Sequence, residues 1–69
     1  MKAIQVCISF EEWNKVDDFI NHYGHDEDVF IYQIDNVSFV VVTEGECSMG
    51  YVTAGIETTF NSVNIEKLR

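Results

Sequence analysis

Residues 47–60, CSMGYVTAGIETTF, decide the fold of this 69-residue chain, because they read in two ways. Met49, Val52, Ile56, Phe60 and then Val63 recur at the three- and four-residue steps of a helix. Against that, Gly50, Val52, Thr53, Gly55, Thr58 and Thr59 are poor helix formers, and the β-branched ones among them favour extended structure. Weighing propensity above spacing predicts strands over 47–53 and 56–60, entered by turns at 44–46 and at Ala54 and Gly55, with a last strand over 63–68. The helical alternative changes the layout from β-α-β-β-β-β to β-α-β-β-α-β, the ferredoxin-like order, and puts a second helix on the same face as the first.

Working outward, the preceding segments read as strands over 29–34 and 37–43, joined by Asp35 and Asn36. An Asx pair between β-branched and aromatic runs predicts an antiparallel hairpin with a two-residue turn. Phe39, Val40, Val41 and Val42 are consecutive, which predicts a strand covered on both faces. At the start of the chain, Ile4, Val6 and Ile8 alternate with Ala3, Gln5 and Cys7, a strand with one large-residue face. Ser9 and Glu12 have the spacing of a capping box, and Ile8 and Trp13 stand at the staple positions. A helix is therefore expected over 10–23, with Trp13, Val16, Phe19, Ile20 and Tyr23 on its apolar stripe and Trp13 as its anchor. Gly24 is expected to close it as a left-handed cap. The fold class that emerges is α+β, an amphipathic helix on a mostly antiparallel sheet, in a single domain spanning residues 1–69.

Charge separates the functional classes. The chain has twelve acids against four lysines and arginines, a formal net charge of −8, and no cation between Lys15 and Lys67. Nucleic-acid binding needs phosphate-neutralising side chains, so direct binding of DNA or RNA is not expected, nor is attraction to an anionic membrane. The content of 46% hydrophobic and 13% aromatic residues is too apolar for a disordered acidic tail. No stretch approaches the roughly 20 apolar residues of a membrane span, and residues 3–10 are too short and interrupted for a signal peptide. The cytoplasm is the expected compartment, and Cys7 and Cys47 are expected as thiols rather than a disulfide.

Motifs for chemistry are weak. His22, His25, Asp26, Glu27 and Asp28 are the densest potential ligands, but their spacing fits no zinc or calcium motif, and a solvated turn after a helix explains them. Cys47 lies beside Glu44 and Glu46, whose charge disfavours a thiolate, and Cys7 lies inside a strand. No catalytic residue, metal or cofactor is expected, and the chain is not read as an enzyme. In composition alone it is similar to the small acidic inhibitors that bacteriophages and mobile elements direct against host nucleic-acid-processing proteins, although no stretch carries a motif of such a family.

The expectation is thus a non-enzymatic module that docks a basic surface of a protein partner and inhibits or regulates it. Glu11, Asp18, Asp26, Glu27 and Asp28, which flank one helix, are the expected partner-binding residues. The alternative is an assembly subunit whose acidity serves solubility. A homodimer is expected in either case, because one helix can cover only one face of the sheet.

Overall fold

Alternation at the start of the chain produces β1 (Lys2–Ile8), with Ile4, Val6 and Ile8 buried and the residues between them half-exposed. The computed structural model, which describes residues 1–68, continues through a 3₁₀ segment (Phe10–Lys15), α1 (Val16–Tyr23), β2 (Val29–Gln33), β3 (Ser38–Thr43), α2 (Glu46–Thr59) and β4 (Val63–Lys67). The α+β class and the antiparallel sheet are as expected, with strand order β2-β3-β1-β4. Of the two layouts the chain takes β-α-β-β-α-β: the stretch expected as two strands is one helix. Its stripe explains why, since Val52 and Ile56 are fully buried and Phe60 just beyond is nearly so. Tertiary burial of one face stabilises a helix more than the propensity of its residues does.

Register places the core on one side of the sheet. Ile4 lies opposite Val41 and Val6 opposite Phe39, while across the other edge of β1 Val6 faces Ile65 and Ile8 faces Val63. Because paired residues share a face, these side chains form one layer, covered by Val16 and Phe19 from α1 and Val52 and Ile56 from α2. Phe19 is central, its ring 5.6 Å from that of Phe39, 5.7 Å from Phe60 and 4.7 Å from Tyr23. Trp13 is half-buried and meets Phe39 edge-on at 6.5 Å. The two helices approach closely at Gly55, where a Cβ would run into the Tyr23 ring.

Several local expectations are corrected. The helix over 10–23 is divided, tight 3₁₀ winding giving way to α-helix at Val16. Side chains three apart eclipse in a 3₁₀ turn, and this brings Glu12 and Lys15 onto one edge. Ser9 makes no side-chain cap, and Glu12 does not reach back to it. Instead the Glu12 carboxylate accepts the backbone amides of Asn61 and Ser62, each at 2.8 Å, and the Lys15 ammonium at 3.0 Å. Lys15 also donates to the Thr59 carbonyl at 3.2 Å, at the end of α2. Two successive amides form a concave anion site, so Glu12 and Lys15 together fasten the α2–β4 turn to the 3₁₀ segment. Those two amides are the foremost reason that the Glu12 carboxyl is lowered from its ordinary 4.5 to about 2.

Gly24 is right-handed at φ −70°, and its small size admits the Ile20 carbonyl rather than a left-handed turn. The hairpin loop is longer than two residues. Asp35 organises it by accepting the Val37 amide and the Ser38 hydroxyl, both at 2.9 Å. Finally, Phe39 and Val41 are fully buried but Val40 and Val42 are only half-buried, because both helices cover the same face.

Candidate partner-docking surface

The sheet face opposite the helices is bare. On it β2 contributes Phe30 and Tyr32, 43% and 57% exposed, which lie across from Val42 and Val40 of β3. Next in register come Ala3 opposite Val42 and Gln5 opposite Val40 on β1, then Glu66 of β4 opposite Gln5. The face therefore grades from aromatic and β-branched at the β2 edge to polar at the β4 edge. Ile34 and Val37, also exposed, extend the apolar side into the hairpin loop.

The acids expected to meet a partner are all exposed, but the fold does not gather them. Glu11 sits in the 3₁₀ segment and Asp18 in the first turn of α1, whereas Asp26, Glu27 and Asp28 form the loop after it. About 20 Å of helical rise separates Glu11 from the end of α1. What the fold does join is Asp28 and Glu44, since the Glu44 amide donates to the Asp28 carbonyl at 3.3 Å. Asp26, Glu27, Asp28 and Glu44 thus share one end of the sheet, at the start of β2 and the end of β3. Nearby, Lys2 is paired with Glu46 at 2.9 Å, which holds the Glu46 carboxyl below its ordinary value through the lysine's hydrogen bond and charge. With Lys15 on Glu12, these are the two ion pairs among the described residues. The loop acids are left to face solvent.

Sequence reading missed Phe30, Tyr32, Val40 and Val42 as candidate contact residues. Residues 29–33, VFIYQ, are apolar through Tyr32 and give no polar alternation to mark an open face, and the run 39–42 pointed to cover on both faces. Among the described residues no three of His, Cys, Asp or Glu converge as metal ligands. Both cysteines are free thiols, Cys7 half-exposed and Cys47 exposed in the first turn of α2. No helix among the described residues is long and apolar enough to cross a membrane. Compared with protein-family models, curated proteins and solved structures, the chain matches none.

Proposed function

We propose that this protein is a small acidic binding module that docks a basic surface of a protein partner through the bare, β2 side of its sheet. The observation that carries the reading is the patch of exposed Phe30 and Tyr32 beside half-buried Val40 and Val42, on a domain whose other face is closed by two helices. Exposed aromatics beside β-branched residues supply the apolar anchor that an interface core needs. The acids at the Asp26–Asp28 and Glu44 end supply the rim, which acts mainly on encounter rate and on choice of partner. Occupying a cationic surface in this way inhibits or regulates whatever that surface otherwise binds, and a nucleic-acid-processing protein has such a surface.

The test is capture of proteins from lysate at low and high salt, with the chain immobilised, followed by mass spectrometry. Basic proteins should be retained at low salt and released at high salt, and both Tyr32→Ser and neutralisation of Asp26, Glu27 and Asp28 should weaken their retention. Retention of the same proteins by all three forms at either salt would overturn the reading.

A second copy is the other occupant that the same patch favours, because two such faces can stack as a homodimer. The charge of −8 on each copy opposes it unless salt screens the repulsion.

A further inference from the structure

We propose that the partner engages by adding a strand to the free edge of β2, and that the strand it supplies is an extended apolar segment with lysine or arginine at each end. This rests on the reading of the chain as a binding module for basic partners and specifies how such a partner is held.

The sheet has two edges, β2 and β4, and they are built differently. β4 reads VNIEK, and its Glu66 and Lys67 put charges on the edge, a common device against unwanted pairing. β2 reads VFIYQ, with no charge, proline or glycine along its length. Its outward hydrogen-bonding groups can be assigned from the bonds that flank it. The Asp28 carbonyl accepts from the Glu44 amide, and the Ile34 amide donates to the Ser38 carbonyl. Hydrogen-bonded pairs alternate along an antiparallel ladder, so between those two bonds Phe30 and Tyr32 bond inward to Val42 and Val40. Ile31 and Gln33 then point their amides and carbonyls away from the sheet. The Val29 amide is already used locally, by the Asp26 carbonyl at 3.3 Å.

Beside this edge runs a groove of about 230 Å³ between α1 and β2, lined by Ile20, Gly24, Val29, Phe30, Ile31 and Tyr32. Residues from both faces of β2 line it, so the strand's own edge forms its floor. An incoming strand would hydrogen-bond to Ile31 and Gln33 and send alternate side chains toward Ile20 on one side and toward Phe30 and Tyr32 on the other, the usual division between main-chain affinity and side-chain specificity.

Charge selects the occupant. Asp26, Glu27 and Asp28 lie immediately before β2, and Asp35 lies just after it. A five-residue strand spans about 17 Å, so an added segment of that length brings its two ends beside acids whether it runs parallel or antiparallel. Cations at both ends are matched. A second copy pairing β2 against β2 would instead set these acids against each other.

The experiment is backbone amide exchange by NMR on the whole chain, with the synthetic peptide KKVTVTVKK and its counterpart EEVTVTVEE as probes. The cation-flanked peptide should slow exchange at the Ile31 and Gln33 amides by about tenfold or more, and the acid-flanked one should leave them unchanged. Gln33→Pro, which removes an outward amide and leaves the β3 ladder intact, should abolish the effect. Protection of Ile31 without peptide that rises with protein concentration would replace the partner strand by a second copy and overturn the proposal. Shifts confined to Phe30, Tyr32, Val40 and Val42 with unchanged Ile31 and Gln33 would overturn edge pairing while leaving the binding reading in place. No binding of the cation-flanked peptide up to its solubility would also overturn edge pairing, and the lysate capture reports separately on the broader reading.

Discussion

Glu12 is the residue on which the long-range side-chain hydrogen bonding converges. It is 9% exposed, holds the amides of Asn61 and Ser62, and is itself held by Lys15, which also ties down Thr59. Its carboxyl is lowered to about 2 from an ordinary 4.5, so the folded state favours the ionised form. The stabilisation is therefore complete above about pH 4.5 and is lost as pH falls from there toward about 2. Circular dichroism melts across that range should show the melting temperature falling with pH, and Glu12→Gln should melt lower at neutral pH and lose much of this acid dependence. Part of the slope should survive, because the Val37 amide and Ser38 hydroxyl lower the Asp35 carboxyl, and Lys2 lowers that of Glu46. An unchanged profile in Glu12→Gln would show that the clamp does not contribute. Little of this was legible locally: Ser9 and Glu12 have the spacing of a capping box, and although Lys15 is three residues from Glu12, the two amides it accepts lie 49 and 50 residues away. By contrast, the periodicity of Val16, Phe19 and Tyr23 placed the α1 stripe directly, because that signal lies within one element.

At the scale of elements, α2 is a helix made against its own propensities, and its two interior glycines should respond oppositely to alanine. A Cβ at Gly50 meets nothing within 4 Å, so Gly50→Ala should stabilise by about 0.5–1 kcal/mol. A Cβ at Gly55 would strike the Tyr23 ring, which packs on Phe19 and Tyr51. Gly55→Ala should therefore destabilise by about 1 kcal/mol or more despite the better helix former, because overpacking outweighs the propensity gain. Urea melts of the two variants decide the matter, and stabilisation by both would mean that the helices do not meet at Gly55. The same contacts explain why residues 47–60 read as strands. Gly55 is a packing residue, and Thr58 returns its hydroxyl to the Ala54 carbonyl at 2.8 Å, a bond a helix accommodates. Only the spacing of Val52, Ile56 and Phe60 carried the right answer, and it was set against six residues with contrary propensities. The β1 signal was readable from alternation, and the β2 and β3 signals from runs of β-branched and aromatic residues.

For the whole molecule, two properties oppose each other: a bare apolar sheet face, which promotes association, and a net charge of −8, which resists self-association. Sedimentation should find monomer at low ionic strength, with any dimer growing as the Debye length contracts to about 8 Å at physiological salt and below it beyond that. Tyr32→Glu should remove such a dimer. A dimer strongest at low salt would point to a charged contact instead of the sheet face. Toward a basic partner the two properties act together, with the acids hastening encounter and the apolar patch holding the complex. The most direct test is the association rate of a basic partner, captured from lysate, with the protein and with its Asp26→Asn, Glu27→Gln, Asp28→Asn variant over a range of salt. The variant should fold as before, associate more slowly and show a flatter salt dependence; an unchanged rate with an unchanged salt slope would contradict docking steered by these acids and leave the loop a solvated turn.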